Sequence, residues 1–152
     1  MDPNETATTP ETTEAFPMRA LLVPVGPELH ALDMTWVREV VATPLVTELP
    51  GAPSSVLGVF NLRGDIVPLF DTAALLGLGT AAGGRFAAVV ETPMGLAGLV
   101  ATGIPEAVEL GESIGATETE GMLASYSIGN RIATLLDLDA LLAPARIGGW
   151  AS

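Results

Sequence analysis

The 152-residue sequence has no cysteine, no lysine and a single histidine, His30. Without cysteine there is no disulfide framework, no thiolate zinc site and no cysteine nucleophile. Without lysine there is no Walker-type phosphate loop and no Schiff-base chemistry. Positive charge is scarce altogether: six arginines stand against 18 acids, for a formal net charge of -12 and a pI near 4.1. Nucleic acid and anionic lipid are poor partners for such a surface, because counterion-releasing contacts need clustered Lys and Arg. Long apolar runs are missing too. Clusters such as 20–25 are cut by proline or charge, well short of the ~20 residues that span a bilayer. The N-terminus reads MDPNE, acidic where an export signal is basic, which points to the cytoplasm, a compartment that the missing cysteine fits without establishing it. These absences remove much of the enzyme catalogue and leave a folded, soluble, intracellular binding protein as the expectation.

What is present suits a packed β-rich domain. Apolar residues make up 49% of the chain. Residues 1–17, MDPNETATTPETTEAFP, are Thr-rich and acidic with almost no core-forming side chains, the composition of a disordered tail. From Met18 onward, short clusters rich in Val, Ile, Phe and Leu (20–25, 56–60, 66–70, 86–90, 96–100 and 132–136) are separated by Gly, Pro and Asn. That rhythm predicts short strands of a barrel or sandwich. Recurrent proline leaves little room for long helices. Short helices are expected after Asp33, Asp71 and Asp137, each an acid suited to N-capping. Residues 18–145 form the folded unit, and 146–152 are a C-terminal tail.

The folded part is internally duplicated. Shifted by 66 residues, VLGVFNLRGDIVPLFDTAALLG (56–77) falls on MLASYSIGNRIATLLDLDALLA (122–143) without a gap. Identities include Leu57/Leu123, Ile66/Ile132, Asp71/Asp137 and Leu75/Leu141. Upstream, a shift of 67 pairs 20–41 with 87–108, matching Leu29/Leu96, Thr35/Thr102 and Glu39/Glu106 among others. The halves run from about 18 to 80 and from about 85 to 145. Each is of a size that buries only roughly 60% of its extended-chain surface and is marginal alone. Two small barrels packed face to face over a shared hydrophobic seam are the simplest outcome, and that seam or a groove beside it is a natural place for a partner.

The most informative segment lies between two apolar strands of the first half. In Asn61-Leu62-Arg63-Gly64, the Arg63-Gly64 pair stands where a tight hairpin needs positive φ, as Gly129-Asn130 does in the second half. Arg63 thus projects from a rigid turn, one of few cations in an acidic chain, beside Phe60 and Leu62. Arginine flanked by apolar surface is typical of interface hot spots. The stretch LPGAPSSVLGVFNLRGDIVPLFD resembles the signature hairpin of CheW-like chemotaxis coupling proteins. HALDMTWVREVV resembles the same family's second strand and following helix, and AGLVATGIPEAVEL and NRIATLLDLDALL fit its second half. The resemblance covers roughly residues 18–145.

The resemblance implies an all-β fold with short helices, built as two packed SH3-like five-stranded β-barrel subdomains. It implies a scaffold without catalysis or cofactor, joining the cytoplasmic tips of chemoreceptors to the regulatory domain of a CheA-type histidine kinase, at receptor arrays on the inner face of the membrane. Matched position by position, it points to Asn61, Leu62, Arg63 and Gly64 of the hairpin and to Val37 and Glu39 as partner-binding residues. Arg63 would be the polar anchor, with Val37 and Leu62 giving apolar contact. Thr102 stands where the family commonly has Asp, Glu112–Ser125 is polar, and the surface carries no lysine. One alternative is a CheW-like scaffold of another kinase pathway, in pilus motility or gene regulation. Another is a small-molecule-binding double barrel, which calls for a pocket lined by His30 and two carboxylates. The bland readings are a packed barrel residue for His30, helix caps for Asp71 and Asp137, a core or seam position for Trp36, a connector at Gly83-Gly84 and an incidental Trp150.

Overall fold

The computed structural model describes residues 18–80 and 84–143. The expected tails at 1–17 and 146–152, Trp150 and Gly83 lie outside the described residues. The first half contributes β1 (Met18–Val25), β2 (Glu28–Asp33), β3 (Val37–Ala42), β4 (Val56–Leu62), β5 (Asp65–Phe70) and helix α1 (Thr72–Leu75). The second supplies β6 (Phe86–Thr92), β7 (Gly95–Ala101), β8 (Glu106–Leu110), β9 (Ser113–Ala116), β10 (Met122–Ile128), β11 (Arg131–Leu136) and α2 (Leu138–Leu141). Two sheets result, one ordered β9-β10-β11-β2-β1-β8 and the other β3-β6-β7-β5-β4. The first therefore has six strands rather than five. The counterpart of its extra strand in the second sheet is a single bridge, Thr47 to Val59.

Neither sheet is made from one half of the sequence. The leading hairpin of each half is exchanged: β2 pairs in parallel with β11 of the second half, and β7 pairs in parallel with β5 of the first. Leu135 lies opposite Ala31 in one joint and Leu69 opposite Gly98 in the other. These are the same positions of the duplication. The face-to-face packing of intact halves is thus revised to a reciprocal swap. Its physical logic is burial on both faces. Along β1, Ala20 and Leu22 enter the core of the six-stranded sheet while Leu21, Val23 and Val25 enter the seam between sheets. Along β6, Ala87 and Val89 face the five-stranded core while Ala88 and Val90 face the seam. A strand apolar on both faces must sit at the centre of the structure, and exchange places both hairpins there.

Each sheet encloses its own core, and the largest cluster lies between them, joined by Phe70 and residues of both helices. Shortening a seam leucine such as Leu32 or Leu99, at 0% and 1% exposed, costs about 2–5 kcal/mol in lost transfer energy and residual cavity. The helices begin as expected: Asp71 accepts from the Ala74 N–H at 3.3 Å and Asp137 from the Ala140 N–H at 3.2 Å. The segment after Asp33 differs. Asp33 caps only one 3₁₀ turn, Met34–Trp36, and the chain then runs as strand β3 instead of helix. Val37, Val40 and Val41 explain this, since β-branched side chains favour a pleated strand. Trp36 packs against the seam.

Candidate partner-binding site

The β4–β5 hairpin closes through a two-residue turn between Leu62 and Asp65, which pair across it. Arg63 has φ +50° and Gly64 φ +97°. Positive φ at both central residues gives a turn whose twist matches that of the flanking strands. For arginine this conformation costs roughly 1–2 kcal/mol, and Arg63 is the one non-glycine residue with positive φ among those described. Asn61 holds the turn by accepting the Gly64 N–H on Oδ1 at 2.9 Å. Further back, Gly58 at φ +152° lets the chain at Thr47 approach: a Cβ there would stand 2.5 Å from the Thr47 carbonyl oxygen.

Glu39 meets Arg63 from the far edge of the same sheet. β3 and β4 are its two edge strands, and curling brings them together. Arg63 Nη2 donates to Glu39 Oε2, closing one end of the barrel, while Thr47 and Val59 exchange backbone hydrogen bonds of 2.8 and 2.9 Å further along. The arginine side chain is 69% exposed and the glutamate 26%. On the outer face of β3, Arg38 pairs with Glu91 at 3.8 Å.

The six expected residues separate into two groups. Asn61, Arg63, Gly64 and Glu39 converge at the hairpin tip. Leu62 does not offer an apolar contact: it is 9% exposed and packed inside the five-stranded barrel with Phe60 and Val67. Its inward turn follows from strand alternation, because Asn61 and Arg63 point the other way. Val37 is half-buried against the seam, so its apolar surface is also largely spent on packing. Beside the tip stands an exposed apolar side chain outside the expected six, Ile66, 64% exposed and paired directly with Asn61. It opens the apolar run IVPLF, whose composition does not tell an outward side chain from an inward one. The signal was its registry with Asn61, a polar strand residue that must face outward.

Other candidates resolve into structure. Thr102, in place of an aspartate, accepts the Gly26 N–H at 2.9 Å and donates to the Pro24 carbonyl at 3.3 Å, tying the end of β7 to the β1–β2 turn. His30 is buried, and burial pushes its pKa down against the opposing pull of Glu28. A cavity of about 460 Å³ lies at the β1–β2 turn, lined by the 25–28 segment, Ala73 and Thr102. Glu28 is the one ionisable side chain among its described lining residues, so it is not the histidine-and-carboxylate pocket that a small-molecule site called for. Among the described residues, no helix is long and apolar enough to cross a membrane.

The family model described as CheW-like domain matches residues 19–146. The chain belongs to the CheW-like family. Chemotaxis protein CheW of Rhizobium meliloti is 41% identical over 54 residues, covering 36% of this chain and 35% of the relative. Chemotaxis protein CheW of Treponema pallidum is 40% identical over 47 residues, covering 31% and 28%. These alignments span about a third of the curated relatives' length. Over longer range, the crystal structure of scaffolding protein TtCheW from Thermoanaerobacter tengcongensis superimposes with a TM-score of 0.73 at 26% identity, covering 82% of this chain and 87% of that one. The CheW-like fold, with its two β subdomains, is therefore the frame in which the Arg63 hairpin sits.

Proposed function

We propose that this CheW-like protein is a non-catalytic scaffold that couples chemoreceptor tips to the regulatory domain of a CheA-type histidine kinase, at receptor arrays on the cytoplasmic side of the membrane. Arg63 supplies the polar anchor, Glu39 orients it, and Asn61 and Gly64 fix the turn that presents it. Ile66, not Leu62 or Val37, gives the exposed apolar contact beside them.

The observation that carries this reading is the placement of Arg63. Its backbone conformation costs roughly 1–2 kcal/mol. An ion pair this exposed is worth about 0–1 kcal/mol once solvent screening is counted. The fold gains nothing from an arginine at that position, whereas an interface gains a pre-positioned cation with apolar surface beside it. The acidic remainder of the surface makes that cation selective for a partner with a matching carboxylate.

Pull-down with the regulatory domain of a CheA-type kinase, comparing wild type with Arg63→Ala, is the direct test. Capture by the wild type and loss in the variant is the expected result. Equal capture of both removes Arg63 from the interface, and capture of neither ends the coupling role.

A further inference from the structure

The single histidine lies where a positive charge is least tolerated. His30 is 1% exposed and stands in β2 directly opposite Val23 of β1 on one side and Thr134 of β11 on the other. Val23 and Leu32, on the same face, belong to the seam core, so the imidazole lies on the seam side. Neither Nδ1 nor Nε2 has a hydrogen-bond partner. The equivalent residue of the other sheet is Ala97, which carries no titratable group.

Location turns this burial into a conformational lever. The β2–β11 joint consists of two registered pairs, Thr134–His30 and Leu135–Ala31, and it stitches the first-half hairpin to the second-half strands. An imidazolium there would be a buried charge without a partner, a far greater cost than a buried neutral ring. Nearby charges do little to relieve it. Glu28 is two residues along the same strand and favours the proton, but burial outweighs it. Arg19 stands at the far end of β1, Arg131 at the hairpin end of β11, and Glu106 opposite Leu22 on β8; all three are exposed. On the helices packed at the seam, Asp71 and Asp137 serve as caps and Asp139 is exposed.

We propose that His30 makes the β2–β11 joint an acid-sensitive catch: with the imidazole neutral the joint is closed, and on protonation the ring leaves the seam and the joint opens. The matching β5–β7 joint, with Ala97 in place of the histidine, stays closed. The sign follows from linkage. An opened form binds the proton near the ordinary imidazole value of about 6.5, and the closed form binds it only at lower pH. The joint is therefore fully stable above about pH 6.5 and weakens as pH falls below it. That window lies above the carboxylate range near 4, which separates His30 from general acid unfolding. The inference is independent of the coupling role.

Amide hydrogen exchange on the full chain, corrected for intrinsic rates, tests it between pH 7.5 and 5.5. Protection at Ala31 and Leu135 should fall severalfold relative to Leu69 and Gly98, up to about tenfold for one proton bound by an open form near 6.5, and the difference should vanish in His30→Ala. The NMR signals of the lone imidazole, read in the wild type, should titrate below the ordinary value and in step with that loss. The idea is overturned if the imidazole titrates at its ordinary value with protection intact. Equal loss at both joints, or unchanged pH dependence in His30→Ala, also overturns it. Should that variant not fold, the wild-type titration and exchange decide alone.

Discussion

The duplication makes the hairpins β4–β5 and β10–β11 equivalent, and comparing them separates what the fold needs from what it merely carries. Both reverse through two residues, between Leu62 and Asp65 in one and Ile128 and Arg131 in the other. Both lead into a short helix capped by an aspartate, Asp71 or Asp137. They differ at the tip. The second hairpin places Gly129 at φ +61°, where the first has Arg63 at φ +50°. The second positions differ, Gly64 at φ +97° against an Asn130 without positive φ, but at the first position glycine takes positive φ at no steric cost, so the arginine is not there to shape it. Glu39 answers Arg63 in the first half, whereas its counterpart Glu106 is exposed on β8 with Gly129 in the matching place. The same scaffold thus holds one plain turn and one that presents a cation.

The largest expected effect of breaking this contrast is on partner affinity. Arg63→Ala should weaken binding of the kinase regulatory domain by thirtyfold or more, about 2 kcal/mol, as truncation of an interface arginine does. Asn130→Ala, at the other tip, should stay within twofold in the same calorimetric titration. Next comes the support behind each tip. Gly58→Ala should cost about 1–3 kcal/mol in a urea titration, because the added Cβ meets the Thr47 carbonyl in a backbone region disfavoured for L residues. Its counterpart Ala124→Gly should cost about 1 kcal/mol, from added backbone freedom and the loss of a partly buried methyl packed on the six-stranded core. Smaller again is the turn bond. Asn61→Ala should lose about 1 kcal/mol with the Gly64 N–H contact. Ser127→Ala should lose only a few tenths, because Ser127 Oγ reaches the Gly129 carbonyl at a long 3.4 Å.

How much of this was legible in the sequence follows from what alternation encodes. The duplication, the helices capped by Asp71 and Asp137 and the Arg63-Gly64 turn are local patterns, and local geometry reproduces them. The hairpin swap is not local. β1, β2, β6 and β7 read as continuous apolar runs because both their faces are buried, and such a run does not say which strand lies beside it. The outward turn of Ile66 and the inward turn of Leu62 depend on registry across the hairpin, which a list of apolar clusters hides. Val37 and Glu39 lie on a segment expected to be helical that is a strand. Only strand geometry sends Val37 to the seam and Glu39 to Arg63. The pairing of Glu39 with Arg63 itself required the sheet to curl until its two edges met.

The most direct test of the central claim, that Arg63 serves recognition and not stability, is Arg63→Gly, which gives the first hairpin the glycine of the second. Urea unfolding and calorimetric binding of the kinase regulatory domain would be measured on the same preparation. Relief of the strained turn should offset the lost ion pair, leaving unfolding free energy within about 1 kcal/mol of wild type or above it, while affinity falls at least tenfold. Unchanged affinity together with a clear loss of stability would contradict the account.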